Sequence, residues 1–279
     1  MQQCILCNTT ERTIRFSYAE PDRYETAIGV TSEGYHRRWV QCVNCGLHRS
    51  EYSRHPDLMD EIYEKKYRAT DSDWRQRTAD ELFQKIINLP LETSETHFRV
   101  NWIESSLGFL QQAKIIDLPE TPKLLDIGGA SGVFAYEMHR RGWQAEIIDP
   151  SADGGFVENY GVSYRQGFYG ANSIVGKFDM VSLVFVLEHL QNPMKLLQDI
   201  KVNVAEKGVV FIEVPDDSAF LSCTDDHDTF NSCHLWLFGA RQLNQMLLTV
   251  GFEVHSLLRY VTFRGYPAIM LIAGPVNKI

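Results

Sequence analysis

The chain lacks any apolar run near the ~18 residues needed to cross a bilayer. Its amino terminus, MQQCILCN, also lacks the apolar core of a secretory leader. Both absences lead to the expectation of a soluble, cytoplasmic protein without a membrane partner. Cysteine is scarce, six in 279 residues, far below the density of a disulfide scaffold. Basic residues are in the minority: 27 Lys and Arg stand against 36 Asp and Glu, for a net charge of −9. A large nucleic-acid footprint would need a basic face, so the charge balance argues against one. No internal repeat or low-complexity tract is present. What is there is globular, 44% hydrophobic and 11% aromatic, with length for one α/β domain and a small appended module.

The most informative stretch is LLDIGGASGVF, Leu124 to Phe134, followed by a strand ending in Asp149-Pro150. It reads as a buried strand, a glycine turn, a helix start and a second strand tipped by a carboxylate. That order builds a nucleotide-sized pocket at the carboxyl edge of a parallel sheet. Asp149 falls 23 residues after Asp126, where a carboxylate can hold ribose hydroxyls. On spacing alone this is a nicotinamide site or an adenosyl site. A dinucleotide fold wants G-x-G-x-x-G facing a pyrophosphate. Here the pattern is D-x-G-G-A-S-G, and an acid before the glycines repels a pyrophosphate but favours a cationic aminoacyl end.

The segment resembles motif I of the class I S-adenosylmethionine-dependent methyltransferases, usually D-x-G-x-G-x-G, with Ala130 in place of the middle glycine. Downstream, FDMVSLVFVLEHL (Phe178 to Leu190) is continuously apolar, as a strand buried on both faces requires. It ends in the Glu188-His189 pair that resembles the ubiquinone-type branch of these enzymes. Asn192-Pro193 signals a helix start. Leu197, Ile200 and Val204 continue at helical spacing to a stop at Gly208, and GVVFIEVP is the next strand. Leu243, Met246, Leu247 and Val250 mark another helix, closed by Gly251. EVHSLLRY and AIMLIAG form a final hairpin around Gly265 and Pro267. The resemblance therefore implies a Rossmann-like α/β fold: a mostly parallel seven-stranded sheet with a carboxyl-terminal antiparallel hairpin. It further implies that Asp126, Gly128, Gly129, Ala130 and Gly132 surround the methionine moiety and Asp149 the ribose. Phe168 is a stacking candidate for adenine, Glu188 is expected at the pocket edge, and His189 is expected beneath the cofactor.

Cys4-x-x-Cys7 and Cys42-x-x-Cys45 stand 34 residues apart. Each pair can chelate one edge of a tetrahedral Zn²⁺ site, closing the long loop between them, and Gly46 supplies a tight turn. The expected metal is structural zinc. Cys223 and Cys233 read as ordinary buried or half-buried residues. The pattern CxxC(x34)CxxCGL ahead of this core resembles bacterial methyltransferases of sugar and polysaccharide biosynthesis. Deoxysugar C-methyltransferases in that group are longer and carry a further carboxyl-terminal domain. A cluster of His36, Arg37, Arg38, His48, Arg49 and Arg54 is either a solvated face or a clamp for the diphosphate of a nucleotide-linked sugar.

The expected organisation is a zinc-binding module at 1–52, a helical cap at 53–118 and the methyltransferase domain at 119–279. In the cap, Leu58, Ile62 and Tyr63 share one face, and Phe98, Trp102, Leu107 and Leu110 another. For a hydroxyl acceptor a base is needed. His234 lies in FNSCHLWLF, which resembles the H-x-x-x-F segment of ubiquinone-type and sugar methyltransferases. It is the first choice and His227 the second; both residues also read as plain structural histidines. Cys233 holds the place of a glutamate common in the C-methylating enzymes, so their mechanism does not carry over. The expected transfer is to oxygen. Asp216, Asp217, Asp225, Asp226 and Asp228 read as a solvated acidic loop or, less readily, as an Mg²⁺ site. The expected partner is a small carbohydrate-type acceptor, a nucleotide-sugar or polysaccharide precursor. An RNA base methyltransferase with a zinc finger and a retired, non-catalytic scaffold are the competing readings.

Overall fold

The computed structural model describes residues 3–52 and 78–276. The expected helical face of Leu58, Ile62 and Tyr63, and Arg54 of the basic cluster, lie outside those residues. Three strands open the chain: β1 (Arg12–Tyr18), β2 (Arg37–Cys42) and β3 (His48–Tyr52). The parallel core follows as β4 (Lys123–Ile127), β5 (Gln144–Asp149), β6 (Ser163–Gln166), β7 (Phe178–Val184) and β8 (Val204–Pro215). A two-residue strand, β9 (Trp236–Leu237), precedes the hairpin of β10 (Phe252–Val261) and β11 (Pro267–Pro275).

Seven strands form one sheet in the order β10-β11-β8-β7-β4-β5-β6. Strands β8, β7, β4, β5 and β6 run parallel to one another, while β11 pairs antiparallel with both β8 and β10. This is the Rossmann-like arrangement expected from the sequence. The period-2 alternation of a strand explains why its apolar runs are unbroken. Leu124, Met180 and Phe211 pack into the hydrophobic cluster on one face. Their immediate successors Leu125, Val181 and Ile212 pack into the cluster on the other.

One expected boundary moves. The helix begun by Asn192-Pro193 ends at Asp199 and passes through a 3₁₀ turn, and Val204 already belongs to β8. Gly208 therefore sits inside a strand and terminates no helix. A Cβ there would come within 3.0 Å of the Phe178 and Asp179 carbonyls, so glycine lets β7 and β8 close up beside their register shift. The helix at Ala240–Val250 buries Leu243, Met246, Leu247 and Val250 and ends on left-handed Gly251, as its periodicity indicates.

The helix Glu95–Gln112 buries Thr96, Arg99, Val100, Ile103, Leu107 and Leu110. Leu107 and Leu110 keep their expected place, whereas Phe98 is exposed and its ring meets Tyr260 at a tilt and Phe263 edge-on at the hairpin. The inward stripe is set by spacing from Ile103, so the larger aromatic loses to helical geometry. No helix among the described residues is long and apolar enough to cross a membrane.

The first three strands form a separate antiparallel sheet in the order β1-β2-β3-β9. Its fourth strand comes from far along the chain, at Trp236–Leu237, so this sheet spans residues on both sides of position 119.

Candidate active site

Where the parallel strands end, a cleft of about 820 Å³ opens along the carboxyl edge of the sheet. That is within the usual range for a small-molecule site. Gly128, Ala130, Asp149, Phe168 and Glu188 of the expected cofactor residues line it. Asp126, Gly129 and Gly132 shape the turn from beneath. Asp126 is buried and accepts a 2.6 Å hydrogen bond from the Ser182 hydroxyl, and burial raises its carboxyl to about 7. It anchors the turn to β7.

The turn needs its glycines for two reasons. Gly128 takes φ +73°, and a Cβ would lie 2.7 Å from the Val186 side chain. Ala130, the substitution for the middle glycine, also adopts a left-handed conformation, φ +46°. A methyl group tolerates this at a cost of about 1–2 kcal/mol. The Ala130 N–H donates 2.9 Å to Asp149 Oδ2, which helps hold the conformation.

Asp149 does more than its spacing indicated. Its other oxygen accepts from the Ser151 N–H at 2.8 Å, so one carboxylate fixes both loops that flank the cleft. Asp149→Ala is expected to weaken S-adenosylhomocysteine binding by about 1–3 kcal/mol, the scale of a charged hydrogen bond. Titration calorimetry checks it, and unchanged affinity would remove Asp149 from the site.

The far side of the cleft is built by the loop before β9 and by the hairpin. Asp228, Thr229, Asn231, His234, Thr262, Arg264 and Tyr266 line it. His234 Nδ1 lies 2.7 Å from the Thr229 carbonyl, and a carbonyl can only accept. That tautomer puts the lone pair on Nε2. Burial lowers the His234 pKa below the usual histidine range, keeping the ring neutral. His227 is placed differently. Its Nδ1 accepts from the Thr229 N–H at 3.2 Å, its ring lies against Tyr266, and it is not among the residues lining the cleft.

Glu188 and His189 occupy a 3₁₀ turn after β7. Glu188 is 0% exposed, and neither carboxyl oxygen reaches a donor on another residue. Burial raises its pKa well above the ordinary value. His189 donates from Nδ1 to the Cys233 carbonyl at 2.9 Å and packs 4.9 Å from the His234 ring. One ligand-type atom from each of Glu188, His189 and His234 lies within 4.8 Å of the others. The motif at the end of β7 thus meets the H-x-x-x-F motif across about 45 residues of chain, a proximity that sequence spacing does not reveal. Phe185 is a further cleft residue the sequence did not mark: it carries φ +54°, a strained backbone of the kind that clusters at functional sites.

The acidic loop does not converge. Asp216 and Asp217 are taken by Arg259 at 2.5 and 3.3 Å, and Asp228 by Arg23 at 2.8 Å. Nor does the basic cluster form a clamp. Arg37 is buried, Arg38 and Arg49 pair with Glu51, and His48 stacks on Phe220. None of the described members of that cluster lines the cleft.

At the other end of the small sheet the four cysteines meet. Cys4 and Cys45 Sγ lie 3.4 Å apart, as do Cys7 and Cys42, and all four sulfurs lie within 4.8 Å of one another. A disulfide would require ~2.05 Å. Four thiolates at 2.3 Å from one ion stand about 3.8 Å apart, so the donor set fits a tetrahedral metal. Gly46 turns at φ +78°, and its N–H donates to the Cys42 carbonyl, as a knuckle requires.

The fold, the glycine turn and the carboxylate after the second parallel strand together define a Rossmann-like methyltransferase. Residues 72–257 match the family described as a methyltransferase domain, and the chain belongs to it. It is an S-adenosylmethionine-dependent methyltransferase. No curated protein matches the sequence.

Among solved structures, the chain is similar to the Synechocystis magnesium protoporphyrin IX methyltransferase with bound S-adenosylhomocysteine. The identity is 15%, over 74% of this chain and 97% of that one, at a TM-score of 0.51. It is also similar to the Burkholderia thailandensis 1,6-didemethyltoxoflavin-N1-methyltransferase with bound 1,6-didemethyltoxoflavin and S-adenosylhomocysteine. There the identity is 12%, over 85% and 99% of the two chains, at a TM-score of 0.55. At such identities the likeness is one of fold.

Proposed function

We propose that the protein methylates a hydroxyl of a small carbohydrate-type acceptor, a nucleotide-sugar or polysaccharide precursor, with His234 as the general base. The observation that carries this reading is the placement of His234 in the same cleft as Gly128, Ala130 and Asp149. S-adenosylmethionine, when bound, supplies the methyl group as an electrophilic sulfonium. The glycine turn and Asp149 hold the donor side. His234 takes the hydroxyl proton at Nε2 as the oxygen attacks, with Thr229 fixing the ring.

The acceptor wall supports a sugar. Polar side chains line it, Thr229, Asn231, Thr262 and Asp228, and the Thr229 hydroxyl has no hydrogen-bond partner within the protein. Arg264, anchored by Glu95 at 3.1 Å, brings a guanidinium to the rim where a phosphate of a nucleotide-sugar would lie.

We assign the four-cysteine cluster to structural Zn²⁺. One equivalent of zinc per chain is expected by atomic spectroscopy, and Cys42→Ser with Cys45→Ser should abolish it. Chelation should lower the melting temperature, because such an ion couples directly to folding. Zinc-free protein of unchanged stability would exclude the assignment.

The acceptor is tested by supplying labelled S-adenosylmethionine to a bacterial extract and separating small metabolites from macromolecules. Label among small anionic metabolites supports the proposal. Label confined to RNA or protein overturns it.

A further inference from the structure

The small sheet stands apart from the cleft, yet it grips the loop that carries His234. None of the described residues 3–52 lines the cleft, and the module reaches a lining side chain through the ion pair of Arg23 with Asp228 at 2.8 Å. It acts on Asp228–His234 from behind. Arg37 Nη1 donates 2.7 Å to the Phe230 carbonyl, and Trp39 Nε1 donates to the same oxygen at 3.3 Å. Asp22 receives both donors of Ser232, the backbone N–H at 2.5 Å and the hydroxyl at 2.8 Å. Tyr52 donates its hydroxyl to the Ser232 carbonyl. Ser50 N–H then donates 2.8 Å to the Leu235 carbonyl, and β3 pairs with β9 immediately beyond His234.

Those donors and acceptors are expensive to place where they are. Arg37 is 2% exposed and Trp39 0%, and a buried guanidinium left unpaired would cost several kcal/mol. Their partners are loop backbone atoms, which carry no side-chain identity and so could not be read as a contact from the sequence. The thiol cluster completes the frame. Cys42 ends β2, and the Cys45 carbonyl accepts 2.6 Å from Gln242, on the helix that follows β9. The sheet is thereby pinned on both sides of the loop it holds.

We propose that the amino-terminal module is a positioning device for the acceptor side of the site, with Asp22, Arg37, Trp39 and Tyr52 as positioning residues for the His234 loop. This deepens the reading given under Proposed function and rests on it for the role of the loop. Donor binding, on the opposite half of the cleft, is independent of the module. Misplacing a reacting group by about 1 Å costs about a hundredfold in rate. Loosening this loop therefore lowers the rate of transfer and leaves the donor affinity intact.

The test uses the full-length, zinc-loaded protein and the double variant Trp39→Phe with Tyr52→Phe, which deletes two hydrogen bonds and keeps an aromatic ring at each position. Ser232→Ala removes one donor from the loop side. Two further variants, Arg37→Lys and Arg37→Met, compare retention of the cation with its loss. Affinity for S-adenosylhomocysteine is measured by calorimetry, and total methyl transfer from labelled donor is followed against increasing bacterial extract.

The expected result is an affinity within twofold of the parent. The transfer plateau should fall about ten- to a hundredfold in the double variant and less in Ser232→Ala. Arg37→Lys should retain more of the plateau than Arg37→Met. Parental plateaus in both the double variant and Ser232→Ala would overturn the proposal, as would affinity falling in step with transfer. His234→Asn is run alongside. Full transfer by that variant overturns the general-base reading alone, and label in macromolecules overturns the acceptor reading alone. The plateau of the loop variants is legible in either case.

Discussion

Replacing Arg99 by methionine is expected to lower the unfolding free energy by about 3–5 kcal/mol, read as a fall in melting temperature of roughly 10 °C. Arg99 lies on the helix before the glycine turn and is 5% exposed. Its Nη2 donates 2.9 Å to Glu213 Oε1 and its Nε donates to the other carboxylate oxygen. Tyr260 donates its hydroxyl to Glu213 Oε1 at 2.5 Å from the hairpin. Glu213 sits at 0% exposure inside β8, so this trio ties helix, central sheet and hairpin at one buried point. Removing the cation leaves a buried carboxylate with one neutral donor, and that uncompensated charge is the source of the loss.

The double change Arg99→Met with Glu213→Leu should recover most of the stability, because it leaves no unpaired charge. A single variant that melts with the parent would show the pair to be dispensable.

The second large effect is on catalysis. His234→Asn is expected to lower the maximal rate of methyl transfer about 10²–10⁴-fold, the usual contribution of a general base. Asparagine keeps a donor for the Thr229 carbonyl while removing the proton acceptor, so the loop remains held.

The pH profile carries an independent signature. As the proposed base, His234 acts when neutral, and burial lowers its pKa. The parent should therefore hold its rate from neutral pH to below the ordinary histidine value of about 6.5, then lose it as the ring protonates. A limb centred above 6.5 would contradict a buried, neutral His234. So would an acid limb that survives unchanged in His234→Asn.

Much of the architecture was legible in the chain itself. The apolar runs ending at Ile127, Val184 and Pro215 are strands because both faces of a central parallel strand are buried. Gly251 and Gly265 close their helix and hairpin in the left-handed region, as expected of glycine in those places. The helix stop at Gly208 was misplaced because glycine serves two needs, φ freedom and close approach, and local pattern does not say which applies. The glycine-turn side of the cleft was equally readable, because one strand, one turn and the next strand tip bring Gly128, Ala130 and Asp149 together within 22 residues of sequence.

How the remaining cleft residues come together was not, because three distant segments supply them. Glu188 at the end of β7, His234 before β9 and Arg264 in the hairpin meet only after the sheet has closed. The same holds for the amino-terminal module. The two C-x-x-C pairs marked the four-thiol cluster, since chelation geometry is local to each pair. What the knuckle supports was decided by tertiary structure: a fourth strand contributed from residues 236–237, and hydrogen bonds to backbone carbonyls that any residue would present. The sequence by itself determined the elements, the glycine turn and the two thiol pairs, because each depends on spacings shorter than a supersecondary unit. Only the tertiary structure decided which histidine faces the cleft and which cations are consumed in pairing. Those depend on long-range contacts between side chains and backbone groups that no periodicity encodes.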